Sequence, residues 1–530
     1  MTTEAVDAVV IGSGPNGLVA ANALADAGWD VLLVEAQERL GGAVASAEVT
    51  VPGFTTDLFS AFYPLAAASP VIRDLDLAGH GLRWVHAPEV LAHPLPDGSC
   101  AVLSRDPART AANLDTFAPG DGDAWTAMVA QWNRVRDRLL DALFTPFPPV
   151  RSVAGLLRRV GPAGALDLAR LAALPVQRLA QESFAGAGGA LLLSGNALHA
   201  DIPPIAAGSG LFGWLMSMLA QDVGFPVPQG GAGRLADALV TRLVAAGGAT
   251  RSGLPVTSIR IAGGRAVGVE CADGTRIAVR RAVLADVSAP ALYRELVDAR
   301  HLPPALLNRL DHFQWDHATL KVNWALRSPI PWRAGGARGA GTVHLGTDAD
   351  GMVQFAADLA VGRMPERPFL LLGQMSTADP TRSPAGTESA WAYTHVPRHA
   401  TTEYLRRQVD RLTDTIERFA PGFGELVLDR AVQFPADLES ADTNLVGGAI
   451  NGGTAAIHQQ LVFRPVPGIG RPETPIPGLY LASAATHPGG GVHGACGWNA
   501  ARTALATDGR FGGLRRRLIR TAWSRLLPAG

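Results

Sequence analysis

Two short apolar runs near the start of the chain flank a glycine-rich turn and an apolar helix. Ala8–Ile11 and Val31–Val34 consist of Ala, Val, Ile and Leu, which is typical of buried strands. Between the two runs, apolar residues recur with helical spacing from Leu18 to Gly28. We therefore predict a strand, a turn, a helix and a second strand, the repeating unit of an α/β fold.

The turn has glycine at positions 12, 14 and 17, which is the G-x-G-x-x-G spacing of dinucleotide-binding sites. Gly12 permits the tight turn, Gly14 lets a pyrophosphate approach the backbone, and Gly17 lets the helix lie close to the strand. The N-terminus of that helix offers free N–H groups and a positive dipole end to phosphates. Glu35 ends the second strand, eighteen residues after Gly17, where an acid can accept a hydrogen bond from a ribose hydroxyl.

The glycine spacing alone is a weak signal, because it occurs a second time in this chain. Gly208, Gly210 and Gly213 have the same spacing. They follow Asp201-Ile202-Pro203-Pro204, which is not a strand pattern, so we predict a loop there. Only the first copy has a strand before it and an acid after it.

Arg39-Leu40-Gly41-Gly42 follows soon after Glu35. The two glycines suit a second close approach to a cofactor, and the arginine could bind phosphate, although an ordinary turn with a surface arginine is the alternative. With these residues the chain resembles the FAD-binding oxidoreductases that include amine oxidases and phytoene desaturases. The resemblance implies that Glu35 binds the FAD ribose, and that Arg39–Gly42 lies beside the pyrophosphate and the flavin. It also implies that the backbone near Val256 meets the adenine side.

Residues from about 80 to 225 lack this succession of short strands and glycine-rich turns. Apolar residues have helical spacing over Trp125–Leu143 and Leu156–Leu179, and the second run contains four arginines. We predict an inserted, mostly helical cap. Its helices could line an apolar substrate channel or rest on a membrane surface, or they could simply pack on the core.

The remainder of the chain is predicted to alternate between strands and helices. The predicted helices cover 234–246 and 402–419, and the predicted strands cover 256–261, 266–271, 280–285, 318–326, 369–373 and 390–395. The last three strands predict a separate antiparallel sheet beneath a substrate pocket. The predicted architecture is α/β: a Rossmann-like FAD-binding domain and a discontinuous substrate domain of antiparallel sheet plus helical cap. The predicted divisions are 1–80, 225–300 and 450–512 for FAD binding, 81–224 and 301–449 for substrate and cap, and 513–530 for a basic tail.

A second glycine-dense loop lies near the C-terminus. Pro477–Ala484 has a turn and strand pattern, and the loop from Thr486 leads into a helix near Gly497. A loop with few Cβ atoms lets a flat ring system lie on the backbone, and the helix N-terminus can hold the O2 edge of a flavin. This stretch resembles the phytoene-desaturase-like branch of the family, and the resemblance covers nearly the whole chain.

Non-covalent FAD is therefore the expected cofactor. The residues expected to bind it are Gly12, Gly14, Pro15, Asn16, Gly17, Glu35, Arg39, Gly41, Gly42, Val256, Gly490, Gly491, Val492, Gly497, Trp498 and Asn499. Cys496 could hold flavin covalently, as a cysteine does in some amine oxidases. His487, His493 and Cys496 match no metal-ligand spacing, so no metal site is predicted.

Composition narrows the class of protein. The chain has 530 residues, a formal net charge of -1 and 47% hydrophobic residues, which describes a globular protein without a nucleic-acid footprint. The three cysteines are far apart and form no C-x-x-C, so no dithiol site is expected. The N-terminus lacks the pattern of a signal peptide, and no apolar run is long enough to span a membrane. We expect a cytoplasmic protein.

Lys321 is the single lysine of the chain, although arginine is abundant. A buried lysine shifts its pKa readily, whereas arginine stays charged. Lys321 lies within a predicted strand, and in the amine-oxidase branch a strand of similar position carries a lysine that reaches flavin N5 through a water. The resemblance implies a catalytic role for Lys321, and an exposed strand lysine without a role is the alternative.

The expected function is a phytoene dehydrogenase-like oxidoreductase that moves a hydride from an apolar substrate to flavin N5. An amine or amino-acid oxidase is one alternative, and a flavoprotein that mainly regulates a protein partner is another. The tail adds possible peripheral contact with a membrane. Its apolar residues Leu514, Leu518, Trp523, Leu526 and Leu527 fall on one predicted helical face among several arginines.

Overall fold

The computed structural model describes residues 4–468 and 470–527. Within these residues the chain forms two sheets of seven strands each and two short two-stranded pairs. The first sheet consists of β1 (Glu4–Ile11), β2 (Val31–Val34), β9 (Ala249–Arg251), β10 (Val256–Ala262), β11 (Arg265–Cys271), β12 (Arg276–Ala285) and β18 (Leu479–Leu481). The second consists of β6 (Glu89–Pro94), β7 (Cys100–Leu103), β13 (Ala318–Leu326), β14 (Ala340–Leu345), β15 (Leu370–Gln374), β16 (Glu388–Val396) and β17 (Val427–Gln433). The short pairs join β3 (Ser46–Ala47) to β4 (Thr56–Asp57) and β5 (Trp84–Val85) to β8 (Val227–Pro228).

The helices pack on both sheets, and those of the inserted region form the cap. The α-helices of the described residues are α1 (Pro15–Asp26), α2 (Pro64–Ala68), α3 (Pro70–Asp74), α4 (Pro107–Asp115), α5 (Asp121–Phe144), α6 (Val150–Ala173), α7 (Val176–Ser183), α8 (Ala187–His199), α9 (Ser209–Asp222), α10 (Gly233–Ala245), α11 (Pro304–Leu310), α12 (Ala349–Ala360), α13 (Met375–Ala378), α14 (Thr402–Phe419), α15 (Phe423–Leu426), α16 (Pro435–Ala441), α17 (Ala495–Asp508) and α18 (Gly512–Leu526).

The first sheet confirms the predicted Rossmann-like arrangement. Strands β9, β2, β1, β12 and β18 are parallel, and β10 and β11 extend β12 as an antiparallel meander. The register aligns Ile11 with Val34 and with Ala285, and Ala285 with Leu481. Four parallel strands therefore end at one level, and the residues that follow them meet along one edge of the sheet. Ligands of open α/β sheets bind at this carboxyl edge.

The second sheet has the strand order β17-β13-β16-β15-β14-β6-β7. The predicted antiparallel pairing is right for every neighbouring pair except β14 and β6, which are parallel. These two strands lie far apart in the chain, so no hairpin constrains their relative direction. One face of the sheet, with Leu320, Val322 and Trp324, packs against the apolar stripe of α14. The opposite face points toward the cap and the first sheet's loops.

Two predictions in the cap region were wrong. The helix predicted over 156–179 is divided, because α6 ends at Ala173 and α7 begins at Val176, after Leu174 and Pro175. Proline disfavours helical backbone at the residue before it, so the apolar periodicity continues while the helix does not. Within α6, Gly161 has a φ of 70° and precedes Pro162, and the helix kinks there.

The second G-x-G-x-x-G was predicted to be a loop, but α9 begins inside it at Ser209. Gly208 has a φ of 86° and starts the helix from a left-handed conformation. An added Cβ at Gly213 would lie 2.6 Å from the carbonyl oxygen of Leu193 on α8. These glycines therefore let cap helices approach each other closely.

The tail helix α18 is docked on the protein and is not a free amphipathic helix. Trp523 and Leu527 are 9% and 2% exposed, whereas Leu514 and Leu518 are 59% and 61% exposed. The apolar residues predicted to share one face are thus divided between a buried side and an exposed side. Residues 528–530 of the predicted tail lie outside the described residues. In the described parts of the chain, no helix combines the length and apolar character needed to cross a bilayer.

Candidate functional site

The glycine-rich turn closes tightly between β1 and α1. Gly12 has a φ of 91°, and an added Cβ there would lie 2.7 Å from the carbonyl oxygen of Asp286. An added Cβ at Gly17 would collide with the carbonyl oxygen of Gly12. Pro15 is the first residue of α1, where its missing N–H costs nothing. The turn brings the N-terminus of α1 to the carboxyl edge of the first sheet.

Asp286 lies at the centre of this turn and was not predicted from the sequence. Its Oδ2 accepts a hydrogen bond of 2.7 Å from the backbone N–H of Gly17, and an added Cβ at Gly14 would lie 2.7 Å from the same oxygen. Burial raises the pKa of Asp286 to about 8. The hydrogen bond from the Gly17 N–H lowers this pKa, whereas the nearby charges of Asp442 and Glu35 raise it. The available signal was its place directly after β12, at the carboxyl edge where ligands bind.

Glu35 is buried and oriented by the turn. Its Oε2 accepts hydrogen bonds from the backbone N–H and the hydroxyl of Ser13 at 2.7 and 2.6 Å. The backbone N–H of Gly41 donates to the same hydroxyl at 3.0 Å, and an added Cβ at Gly42 would lie 3.0 Å from the Cα of Gly14. The two glycine segments predicted to approach the cofactor therefore lie against each other, with Glu35 beside them.

Two other predicted cofactor residues lie at the margin of this cluster. The guanidinium of Arg39 is exposed and donates to the carbonyl oxygen of Ser46 at 3.0 Å. Val256 begins β10, and the backbone N–H of Leu254, two residues earlier, donates to the carbonyl oxygen of Glu35 at 2.9 Å. The Val256 backbone is thus adjacent to the acid expected to bind ribose.

The C-terminal glycine-dense loop follows β18 and leads into α17. An added Cβ at Gly490 would lie 2.7 Å from Oδ1 of Asn451, and one at Gly491 would lie 2.6 Å from the Leu65 side chain. Gly497 lies against the backbone carbonyl of Asn16, which joins the starts of α1 and α17. The two predicted halves of the site are therefore in direct contact. Val492 and Trp498 are partly buried against the core beside them.

Two of the three potential ligands in this loop, His493 and Cys496, form hydrogen bonds within the protein. The imidazole of His493 accepts from the backbone N–H of Ala495 at 3.0 Å, and the thiol of Cys496 donates to the carbonyl oxygens of Thr486 and Gly489. Burial raises the pKa of Cys496 to about 11, so the reactive thiolate form is disfavoured. Among the described residues, no group of three or more His, Cys, Asp or Glu side chains could hold a metal ion.

The residues of this edge fit a bound FAD. Two helix N-termini point into it, and a buried carboxylate, that of Glu35, stands after β2. Asn499 is 1% exposed, and both polar atoms of its side chain lack a hydrogen-bond partner in the protein; Oδ1 of buried Asn16 also lacks one. Buried polar atoms without partners are uncommon, and a flavin nucleotide offers many donors and acceptors. When bound, FAD supplies a hydride acceptor, its N5 atom.

The second sheet presents a buried polar face beside this edge. The register places Lys321 opposite Tyr393, and Thr319 opposite His395. Because side chains alternate along strands, these residues share one face, and Asn323 lies on it as well. Lys321, Thr319, His395 and Asn323 are each less than 5% exposed. A face so rich in buried polar groups is unusual for a structural sheet and is typical of the floor of a site.

Lys321 lies deep in this face. Its Nζ donates to the backbone carbonyl oxygens of Asp57 and Phe59, the latter at 3.2 Å, and lies 5.2 Å from the centre of the Trp391 ring. Burial lowers the pKa of Lys321 to about 7, although the Asp57 carboxylate opposes this effect. Residues 57 and 59 belong to the segment that follows the Gly41–Gly42 loop, so Lys321 connects the second sheet to the cofactor side.

A buried ion pair lies on the same face and was not predicted. Nε2 of His395 pairs with Oδ1 of Asp201, and Oδ2 of Asp201 accepts from the side-chain amide of Asn451. Burial alone would lower the pKa of His395, but the Asp201 carboxylate raises it above its ordinary value. Asp201 has a φ of 57°, a strained conformation for a residue with a side chain. Asn451 contacts Gly490, so this chain of polar groups leads from the floor to the cofactor loop.

A second buried ion pair fixes the position of the segment to which Lys321 donates. The guanidinium of Arg382 donates to both carboxylate oxygens of Asp57 at 2.9 and 3.0 Å, and to Asp379 at 3.0 Å. Asp57 also accepts from the backbone N–H of Ala232 at 2.8 Å. The segment whose carbonyl groups hold the Lys321 amine is therefore fixed to two distant parts of the chain.

Comparison with known proteins agrees with this geometry. The sequence profile of the family "Flavin containing amine oxidoreductase" matches residues 16–385. The mouse protein "Pyridine nucleotide-disulfide oxidoreductase domain-containing protein 2" (Mus musculus) is 30% identical over 93% of this chain and 92% of its own length. The neurosporene-forming phytoene desaturase of Rhodobacter capsulatus is 24% identical over 92% of this chain and 91% of its own length.

A solved structure of putrescine oxidase with bound putrescine has the same fold. It matches with a TM-score of 0.60 and 16% identity, over 95% of this chain and 99% of that chain. The three cysteines of this chain are all free, so the "disulfide" in the name of the mouse relative has no counterpart here. The chain is an FAD-dependent oxidoreductase and belongs to the flavin containing amine oxidoreductase family.

Proposed function

We propose that this oxidoreductase dehydrogenates a mainly apolar substrate, taking a hydride from a C–H bond held between the cofactor and the polar floor of the second sheet. The observation that carries the proposal is the position of buried Lys321 beside an aromatic cluster. The Trp391 ring lies 6.0 Å from Phe62, and Phe62 lies 6.5 Å from Phe225. Aromatic side chains suit an apolar substrate that must be oriented by shape.

Loss of a hydride from carbon is accompanied by loss of a proton, so the site needs a group that can receive or relay one. A neutral lysine amine has two N–H groups and one lone pair. In Lys321 the carbonyl groups of Asp57 and Phe59 engage two N–H groups, which leaves the lone pair to accept a hydrogen bond. We propose that Lys321 holds a water toward the flavin and acts in its neutral form, which a pKa of about 7 makes available near neutral pH.

The likeness to phytoene desaturases also supports an apolar substrate. We further propose that residues 1–80, 225–300 and 450–512 form the FAD-binding domain and that 81–224 and 301–449 form the substrate and cap domain. The strands of the first sheet come from the former ranges and those of the second sheet from the latter. We propose that the substrate site lies between these two domains.

A test of the proposed function is anaerobic reduction of the bound flavin by candidate substrates. Terpenes, carotenoid precursors and long-chain lipids, each supplied in detergent, should bleach the visible absorbance of the oxidised flavin, and short polar amines should leave it unchanged. Bleaching should follow single-exponential kinetics whose rate saturates with substrate. Bleaching by amines alone would contradict the proposal and would favour an amine oxidase.

The amine-oxidase alternative rests on Lys321 as well. The stacked rings of Trp391 and Tyr393, 6.0 Å apart, could also accommodate an alkyl amine near the buried lysine. A flavin that no compound of either class reduces, together with recovery of a stable protein partner, would favour a mainly regulatory role.

We also propose that the protein is cytoplasmic and contacts membranes at the exposed side of α18, where Leu514 and Leu518 lie among arginines. The double change Leu514→Gln and Leu518→Gln should reduce flotation with phosphatidylserine-containing vesicles severalfold, since each removes exposed apolar area and leaves the buried side of α18 intact. Val244→Gln, at a site 57% exposed on α10, is the matched control and should float as the wild type does. Equal flotation of all three proteins, or none by the wild type, would remove the membrane contact.

A further inference from the structure

The carboxyl group of Asp286 lies where the glycine-rich turn meets the N-terminus of α1. It accepts the N–H of Gly17 at 2.7 Å, and it occupies the space next to Gly14 that a side chain there would need. In a dinucleotide site the second glycine of the motif is the point where the pyrophosphate approaches the backbone. Asp286 is 5% exposed, so little solvent reaches its carboxyl group to screen a charge there.

The charged groups around Asp286 are themselves acidic. Asp442 and Glu35 both act on the carboxyl group electrostatically, and the thiol of Cys496 also lies within its influence. An added Cβ at Gly42, which packs on Gly14, would lie 3.4 Å from Oδ2 of Asp442. The dipole of α1 and the Gly17 N–H favour the charged form of Asp286, but burial and the two neighbouring acids disfavour it more.

A pyrophosphate diester carries two negative charges, which a carboxylate at this position would repel. An Asp286 carboxylate would also compete with the phosphates for the positive end of α1. A neutral carboxylic acid does neither, and its O–H can donate a hydrogen bond to a phosphate oxygen while its other oxygen keeps the Gly17 N–H.

We propose that Asp286 holds the cofactor's pyrophosphate as a neutral hydrogen-bond donor, and that it takes up one proton from solvent when FAD binds at a pH where its carboxyl group is ionised. The step converts a carboxylate and a solvent proton into a carboxylic acid, and no other bond changes. This inference concerns cofactor binding and holds whatever the substrate is.

The pH dependence follows from linkage. FAD raises the pKa of Asp286 further, so FAD affinity is fully present below the pKa of the free protein and is lost as pH rises through it. The pKa of about 8 in the free protein places the loss above pH 8. Above pH 8 the dissociation constant for FAD should rise by up to about tenfold for each pH unit.

The experiment is calorimetric titration of the apoprotein with FAD between pH 6 and pH 10 in two buffers of different ionisation enthalpy. The wild type should take up about one proton per FAD above pH 8 and progressively fewer below it. Asp286→Asn keeps a hydrogen-bond acceptor for Gly17 and a donor for phosphate without a titrating group. Above pH 8 it should lack both the rise in the dissociation constant and the proton uptake.

Two further variants distinguish the effect of Asp286 on FAD affinity from the effects of its acidic neighbours. Asp442→Asn removes one neighbouring charge, so the rise in dissociation constant should remain but begin at lower pH. Glu35→Gln should weaken FAD binding at every pH, because its expected partner is the ribose hydroxyl, and should keep the rise, which again begins at lower pH. A wild type with no change in affinity or proton uptake above pH 8, or an Asp286→Asn protein that keeps both, would overturn the proposal. Should Asp286→Asn fail to fold, the proton uptake of the wild type still decides the matter.

Discussion

Protein carrying Gly14→Val should be purified with at most a tenth of the wild-type FAD content and should be nearly colourless. An added Cβ at this position would lie 2.7 Å from Oδ2 of Asp286, which the Gly17 N–H holds in place. Overpacking of this kind costs about 1–3 kcal/mol, and the γ-methyl groups of valine enter space next to the pyrophosphate as well. The clash with Asp286 lowers the stability of the turn itself, whereas a clash of similar size between the γ-methyl groups and the pyrophosphate would lower FAD affinity by roughly ten- to a hundredfold, at about 1.4 kcal/mol per factor of ten.

The measurement is the absorbance of FAD released by denaturation, per mole of protein. Gly513→Val is the control, because an added Cβ at Gly513 meets nothing within 4 Å, and its FAD content should equal that of the wild type. Gly14→Ala should lose less FAD than Gly14→Val, because alanine lacks the γ-methyl groups. Full FAD content in Gly14→Val would contradict the assignment of this turn to the cofactor.

Local periodicity predicted the elements whose boundaries depend on local signals. The strand over 318–326 and the helix over 402–419 were predicted with the bounds that the structure has. The helix has its apolar residues on one face and ends before Ala420-Pro421, and the strand has an apolar residue at every second position from 318 to 326. In both cases propensity, pattern and termination agree, so tertiary contacts had nothing to override.

The wrong predictions are those in which one pattern is compatible with two structures. Apolar spacing continues from α6 into α7 across Leu174-Pro175, because both helices bury the same kind of residue. The glycines at 208, 210 and 213 serve close contact between helices, and the same residue type serves phosphate contact at 12, 14 and 17. Only the neighbouring elements distinguish these uses.

The long-range contacts of the site could not be predicted from the sequence, for a different reason. Asp57 and Arg382 lie 325 residues apart, and Gly17 and Asp286 lie 269 residues apart. Spacing along the chain carries no information on such contacts, which exist only after the strands have paired. Asp286 is the exception in part, because a predicted strand ended directly before it.

Removal of the Lys321 amine should slow flavin chemistry and leave the fold intact. Lys321→Met keeps most of the stem's bulk, so FAD content should remain at the wild-type level. Flavin reduction by substrate, or reoxidation by oxygen, should slow by about ten- to a thousandfold, the effect of one lost positioned group. Single-turnover spectra measure both steps. Lys321→Arg should not restore the rate, because arginine stays charged and its planar fork does not fit between the carbonyl groups of Asp57 and Phe59.

The pH dependence separates a catalytic lysine from a structural one. If the neutral amine acts, the wild-type rate should rise with pH through about 7 and level off above it, and the rate of Lys321→Met should lack this rise. The stability of the fold should also depend on the protonation of Lys321. The folded-state pKa of about 7 lies below the ordinary 10.5, so the unfolded chain binds the extra proton between these values. The melting temperature of the wild type, relative to that of Lys321→Met, should therefore increase as pH rises from about 7 to about 10.5.

Thr413→Val is the control for Lys321→Met. Thr413 lies on α14, which packs against the opposite face of the second sheet, and its hydroxyl donates to the carbonyl oxygen of Val409 in the same helix, so the change should alter neither kinetics nor the pH profile. A structural lysine would give the opposite result: Arg tolerated, and any loss in Lys321→Met confined to its melting temperature. Normal flavin kinetics in Lys321→Met would exclude the catalytic role. The His395–Asp201 pair would then be the next candidate on the floor, because Asn451 connects it to the cofactor loop at Gly490.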